Sequence, residues 1–195
     1  MADKVLGKVP VGISNRHVHL SQADLNKLFG AGHKLNNVKD LSQPGQFAAD
    51  ETVTLVGPKG VIPRVRVLGP TRGQTQVEVS RTDAFALGVK PPVRDSGEHE
   101  GSAGQVTVVG PNGALTLTQG VILAKRHVHM TPADAQRFGL KNKDNVKVRC
   151  GGPRALIFDQ VLVRVHESFA LDCHLDTDEA NAAMLNNGDE VEILG

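Results

Sequence analysis

The sequence predicts a mainly β protein, in which two small β-barrels related by an internal repeat are capped by short α-helices. The chain of 195 residues contains 21 Gly and 10 Pro but no Trp or Tyr, a composition typical of short strands joined by tight turns. Apolar and polar residues alternate in several runs, including residues 61–67 and 156–165, as expected of half-buried strands. The third observation is a duplicated segment that begins at Arg16 and again at Arg126.

The duplicated segment occupies residues 16–24 (RHVHLSQAD) and 126–134 (RHVHMTPAD). A weaker similarity follows each copy, between residues 78–84 (EVSRTDA) and 174–180 (HLDTDEA). Self-similarity of this kind indicates that the chain consists of two related structural halves.

Each half is predicted to contain a strand that runs directly into a helix. Ser21 and Thr131 suit the N-cap position, because each precedes an acidic residue of the first helical turn by three positions. Polar residues 90–104, rich in Pro, Gly and Ser, are predicted to form a linker or surface loop between the halves.

Charge and cysteine content exclude several classes of protein. The 22 Lys and Arg residues are balanced by 21 Asp and Glu, and a formal net charge of only +1 does not favour binding to nucleic acid or to a membrane. Two cysteines are too few for a disulfide framework, which indicates a reducing, cytoplasmic setting. We find neither a signal peptide nor an apolar run of about 18 residues that could span a membrane.

The two His-x-His dipeptides predict metal binding. Alternate residues of a strand face the same way, so the rings of His17 and His19 point to one side, with Cα atoms roughly 7 Å apart. His127 and His129 repeat this arrangement in the second half. The weaker repeat adds one more candidate ligand to each half, namely Glu78 in the first and His174 in the second.

Three protein ligands of these types leave a fourth position of a zinc ion open, which is the pattern of a catalytic site. A purely structural origin of the repeat would explain the corner between strand and helix that recurs in both halves. It would not explain histidine at both alternate positions, since histidine has no special value in a strand or a cap.

Arg72 predicts an anion site beside the first histidine pair. It lies in a turn just before the strand that carries Glu78, so its guanidinium would be delivered next to the predicted metal. The planar guanidinium binds phosphate through two hydrogen bonds. A metal with an open position beside an arginine indicates chemistry that involves a phosphate.

These motifs resemble one known family over nearly the whole chain, from about residue 9 to residue 194. Residues 11–21, 69–78 and 126–131 are similar to the propanediol-utilisation type of phosphotransacylase, also called phosphate propanoyltransferase. The resemblance implies reversible conversion of propanoyl-CoA or acetyl-CoA plus orthophosphate into acyl phosphate plus CoA, with two zinc ions per chain. It further implies that the two barrels are interlocked, with domains at residues 14–121 and at residues 1–13 plus 122–195.

The resemblance also assigns roles to residues. One zinc would be held by His17, His19 and Glu78, and the other by His127, His129 and His174. Arg72 would bind phosphate. Coenzyme A would be bound by Ser14, Asn15, Lys59, Arg66 and Asn181.

We expect phosphate to attack the thioester directly, because no residue is placed as an obvious covalent nucleophile. Cys173, next to His174, is interpreted as a small buried apolar residue, although a covalent acyl-enzyme on its thiol is the alternative route. Other interpretations of the motifs are a di-zinc hydrolase, a cupin-like single-metal barrel and a non-catalytic, metal-stabilised binding module.

Members of this family in bacterial microcompartments usually carry an amphipathic N-terminal peptide. Only about eight residues precede the first predicted strand here. We therefore expect either a cytoplasmic enzyme or a chain from which that peptide has been removed. Exposed strand edges make a homo-oligomer a further expectation.

Overall fold

A computed structural model describes residues 4–195, and the chain in it forms two compact units. The unit that we call the barrel unit comprises Met1–Ser14, of which residues 4–14 are described, together with Ser42–Pro44 and Lys125–Gly195. The open-sheet unit comprises Asn15–Leu41 and Gly45–Ala124. The domain predicted at residues 1–13 plus 122–195 includes residues 1–3, which lie outside the described residues.

Most of the chain between residues 4 and 195 is strand, and the helices are short. The strands are β1 Val5–Ser14, β2 His17–Ser21, β3 Asn37–Asp40, β4 Phe47–Val56, β5 Val61–Arg72, β6 Gln76–Glu78, β7 Val93–Arg94, β8 Val106–Gly110, β9 Gly113–Leu117, β10 Val121–Ala124, β11 His127–Met130, β12 Asn145–Cys150, β13 Leu156–Val165, β14 Asp172–Asp176 and β15 Glu190–Leu194. The helices are α1 Gln22–Phe29, α2 Arg81–Leu87, α3 Pro132–Phe138 and α4 Thr177–Ala183. None of these helices has the length and apolar character needed to cross a bilayer.

The barrel unit is a closed barrel with the strand order β1-β14-β11-β13-β12-β15. Strand β1 completes it, pairing in parallel with β14 and antiparallel with β15. Side chains such as Val9, Val128 and Ile193 fill the interior. The segment Ser42–Pro44 joins this unit through Gln43, whose side-chain amide donates to Ala170 O at 2.9 Å and accepts from Ala170 N at 3.2 Å.

The open-sheet unit contains nine strands, eight of them in the order β7-β10-β6-β2-β5-β4-β8-β9, with β3 paired to β4. The predicted mainly β class with short helices is confirmed, with one closed barrel and one sheet that stays open in the described residues. The ends of the sheet are β7, only two residues long and paired with β10, and β9, paired with β8.

The sequence repeat corresponds to a repeated three-strand arrangement. Strand β2 pairs in parallel with β5 and antiparallel with β6, and β11 pairs in the same way with β13 and β14. The short middle strand of each trio is therefore surrounded by hydrogen-bonded neighbours, which keeps its side chains buried.

Helices α1 and α3 begin where the sequence predicts. The hydroxyls of Ser21 and Thr131 accept hydrogen bonds from Asp24 N and Asp134 N. Helices α2 and α4 were not predicted, although each has a capping box, in which Ser80 pairs with Asp83 and Asp176 with Glu179. The spacing of three residues between cap and acidic side chain is the signal that identifies them.

The packing of the barrel interior leads to a stability prediction. Ile193 is 0% exposed and Ile157, on β13 of the same unit, is 50% exposed. Replacing Ile193 by Ala should lower the free energy of unfolding by about 2–5 kcal/mol, because a buried cavity replaces the lost methyl groups. Ile157→Ala makes the same chemical change at the surface and should cost less than about 0.5 kcal/mol. Urea denaturation of both variants tests this, and equal losses would contradict the assigned core.

Candidate metal centres

The first candidate centre lies in the open-sheet unit, where β2 and β6 run side by side. His17 and His19 point to one face of β2, and His17 is paired in register with Glu78 on β6. Glu78 Oε2 lies 3.5 Å from His17 Nε2, and Glu78 Oε1 lies 4.0 Å from His19 Nε2. All three side chains are buried, and their ligand atoms lie within 4.8 Å of one another. We call this group the Glu78 centre.

Backbone contacts orient the rings of the Glu78 centre. His17 Nδ1 donates to Asn15 O at 2.8 Å, which directs Nε2 towards the carboxylate. Nδ1 of His19 is buried without a hydrogen-bond partner among residues 4–195. In both rings Nε2 is the nitrogen that lies next to Glu78, where a cation could bind.

The pKa values of the two histidine rings are shifted in opposite directions. Burial lowers the pKa of His17, but the Glu78 carboxylate raises it, and the net direction is upward. Burial and the neighbouring His17 bring the pKa of His19 well below its usual value. Burial would raise the pKa of Glu78, yet the adjacent His17 ring holds it well below the usual range. Glu78 is thus a carboxylate and His19 a neutral imidazole near neutral pH.

A polar network holds the Glu78 carboxylate through Oε1. Ser96 Oγ donates to Glu78 Oε1 at 2.6 Å, and Gln76 Nε2 donates to the same oxygen at 2.7 Å. Arg72 NH1 in turn donates to Ser96 Oγ at 3.2 Å. The arginine predicted to bind phosphate is therefore connected to Glu78 through a single hydroxyl group.

Segment 90–104 is consequently more than the predicted linker or surface loop. It contributes strand β7 to the sheet, and Gly97 N donates to Gln76 Oε1 at 2.9 Å. Sequence reasoning missed Ser96 because nothing in a loop without apolar periodicity indicates which residue reaches a distant strand. Gln76 could have been identified from the sequence, since it stands two residues before Glu78 and so shares its face of the strand.

The second candidate centre lies in the barrel unit and has the same framework. His127 and His129 on β11 face His174 on β14, and His127 is in register with His174. Nε2 of His127 lies 2.9 Å from Nε2 of His129, and the His174 ring centroid is 5.0 and 4.8 Å from theirs. Lys125 O accepts from His127 Nδ1 at 2.8 Å, as Asn15 O does from His17. We call this group the His174 centre.

Two neighbours complete the His174 centre. Asp172 Oδ2 lies 3.0 Å from His174 Nε2. The ring of Phe169 packs edge-on against His129, with 4.3 Å between ring centroids. Burial and the neighbouring His127 lower the pKa of His129 to about 2, so this ring stays neutral over the physiological range.

Both donor sets suit a zinc ion. Each centre combines three nitrogen or carboxylate donors that converge, all buried except the partly exposed His174, and zinc binds such sets with a fourth position open to water or substrate. Neutral imidazole is the form of histidine that binds a metal, and His19 and His129 are held in that form.

The residues predicted to bind coenzyme A are distributed over both units. Ser14 ends β1 and Asn181 is an exposed residue of α4, both in the barrel unit. The open-sheet unit holds the other three. Asn15 and Lys59 are exposed there, whereas the Arg66 guanidinium donates to the carbonyls of residues 49 and 50 at 2.8 and 3.0 Å.

The fold and the two donor groups define a duplicated β protein with two candidate metal centres. Comparison with known proteins identifies its family. Residues 10–186 match the family described as phosphate propanoyltransferase. A protein of that name from Thermotoga maritima is 65% identical over 185 residues, which cover 94% of this chain and 88% of the relative.

Two further relatives carry the same name. The protein from Rhodopseudomonas palustris is 53% identical over 95% of this chain and 82% of its own. The protein from Rhodobacter capsulatus is 55% identical over a region that covers 92% of this chain and 83% of the relative. The chain belongs to the phosphate propanoyltransferase family and is an acyltransferase enzyme, which confirms the resemblance seen in the sequence.

The electrostatic coupling within the Glu78 centre can be measured without metal. Glu78→Gln should lower the pKa of His17 in chelator-treated protein, because a neutral amide no longer stabilises the imidazolium while burial still disfavours it. Histidine ring resonances followed by NMR over a pH series report this value. Glu51→Gln removes a carboxylate that pairs with His33 in the same unit and should leave His17 unchanged. An unaltered His17 pKa in Glu78→Gln would refute the coupling.

Proposed function

We propose that the enzyme interconverts acyl-CoA plus orthophosphate with acyl phosphate plus CoA, and that it requires a zinc ion at each centre. The observation that carries this proposal is the pair of convergent three-donor centres, one of them with an arginine connected to its carboxylate. The name of the relatives supports propanoyl-CoA as a substrate, and acetyl-CoA differs from it by one methylene group only.

In this proposal His17, His19 and Glu78 hold one zinc ion, and His127, His129 and His174 hold the other. Bound zinc would polarise a thioester carbonyl and stabilise a departing thiolate. The protein contributes rings whose orientation is set by backbone carbonyls, so the donors are arranged before the metal arrives.

Arg72 binds the phosphate substrate in our proposal. Its guanidinium lies at the end of β5, half-buried, and is held by Ser96. Such a group neutralises part of the phosphate charge and orients the attacking oxygen. Fixing one of two substrates in this way removes much of the entropic cost of a bimolecular reaction.

Coenzyme A is bound, in the same proposal, by Ser14, Asn15, Lys59, Arg66 and Asn181. The two cationic members suit the phosphate groups of the cofactor. Arg66 already uses its NH1 group on backbone carbonyls, which would hold the guanidinium in place when an anion binds.

The chemistry is a direct transfer. A phosphate oxygen forms a bond to the acyl carbon, the carbon–sulfur bond breaks, and CoA leaves as the thiolate with the bonding electrons. Burial supports this route over an acyl-enzyme at Cys173, since that side chain is 0% exposed and burial raises the pKa of its thiol. A buried, protonated thiol is a poor nucleophile.

Release of free thiol from propanoyl-CoA tests the proposed reaction. We expect release that depends on orthophosphate and that stops after treatment with a chelator and returns with zinc. A di-zinc hydrolase would release thiol without phosphate, and a binding module would release none. A rate of thiol release that depends on neither phosphate nor chelator would overturn the proposal.

Substitution of Arg72 tests its role in phosphate binding. Arg72→Ala should lower kcat/KM for phosphate about 10- to 100-fold, the loss expected for one or two charge-assisted hydrogen bonds. KM for acyl-CoA should change much less. Arg81→Ala removes an exposed arginine from the same unit and serves as the control. Equal effects of Arg72→Ala on both substrates would indicate a structural role instead.

A further inference from the structure

Asp172 is a buried carboxylate that the proposed reaction does not use. It is 4% exposed and stands at the start of β14, two residues before His174 and on the same face of the strand. Its partner among the described ion pairs is His174, at 3.0 Å. A carboxylate in such a position needs a compensating cation, because burial of an unpaired charge is costly.

The repeat relates Asp172 to the other centre. On β6, Gln76 faces His19 and Glu78 faces His17. On β14, Asp172 faces His129 and His174 faces His127. Each strand therefore places one carboxylate and one amide or imidazole side chain opposite the His-x-His pair, but in the reverse order.

This exchange gives each of the two centres one carboxylate. A dication held by three neutral imidazoles alone would keep its full charge in a buried site. One carboxylate in each centre reduces that charge equally, whether it stands opposite the first histidine of the pair, as Glu78 does, or opposite the second, as Asp172 does.

Strand β1 is shaped to accept the pair formed by Asp172 and His174. Gly12 lies in register with His174. A Cβ atom at position 12 would lie 2.7 Å from Asp172 Oδ2 and 2.9 Å from His174 Cδ2. Backbone without a side chain is thus needed where the carboxylate and the ring meet.

We infer that Asp172 is the positioning carboxylate of the His174 centre, where it holds His174 and supplies the negative charge that Glu78 supplies in the other centre. The inference rests on the proposed zinc ion of this centre. It adds a fourth residue, Asp172, to the three donors. Asp172 contacts Nε2 of His174, so Nδ1 is the nitrogen of that ring left for zinc, as where carboxylates orient histidine ligands through the nitrogen that does not bind the metal.

Zinc affinity tests the inference directly. The background is the full chain with His17→Ala and His19→Ala, so that the His174 centre alone competes for zinc with a chromophoric chelator. Adding Asp172→Asn keeps the shape and a hydrogen-bond acceptor but removes the charge, and should weaken zinc binding about 10- to 100-fold. Glu167→Gln removes an exposed charge from the same unit and should leave the affinity within about twofold.

A second variant separates charge from packing. Asp172→Gln with His174→Glu reproduces, in the barrel unit, the pair found on β6. It should recover most of the affinity that Asp172→Gln alone loses, a recovery that a merely structural role of Asp172 would not produce.

The outcomes distinguish this inference from the proposed function. If the unmodified chain binds two zinc ions and Asp172→Asn binds zinc as tightly as its background, the inference is wrong and the proposed function stands. Loss of affinity without recovery in the double variant also overturns the charge role. If the unmodified chain binds no zinc, the proposed metal centres themselves are wrong.

Discussion

The pairing of a His-x-His strand with a short antiparallel neighbour is the constraint on which both centres depend. Alternation places the two rings on one face, and directly opposed residues of an antiparallel pair have Cβ atoms only about 5 Å apart. His17 opposite Glu78 and His127 opposite His174 therefore bring the third donor to the first two. Any slip by one residue would turn the donor to the other face of the strand.

Burial gives these donors their electrostatic character. The rings of His19 and His129 have lowered pKa values because water is excluded, so they remain neutral. The two centres differ where the carboxylate stands. Glu78 is fixed by Ser96 and Gln76 and pairs with His17, whereas Asp172 contacts His174. The same framework therefore carries a different acid–base arrangement in each unit.

The sequence was most informative where structure is local. Donor spacing, strand alternation and the caps at Ser21 and Thr131 depend on neighbours two or three positions away, and these can be read directly. The contact of Ser96 with Glu78 joins a loop to a distant strand, and no periodic pattern encodes it. Whether a sheet closes depends on which edge strands meet, which is also a non-local property. The backbone contacts of Arg66 belong to the same category.

The two halves have kept their framework more faithfully than their donors. Strand, cap and helix recur with nearly the same residues, because each is required for the local fold. The facing strands instead carry Gln76 and Glu78 in one half and Asp172 and His174 in the other. Since these four positions share one geometry, a carboxylate at either position of the pair lies beside a histidine of the centre. Each His-x-His pair thus has one carboxylate beside it, at one of the two positions that strand alternation places on its face.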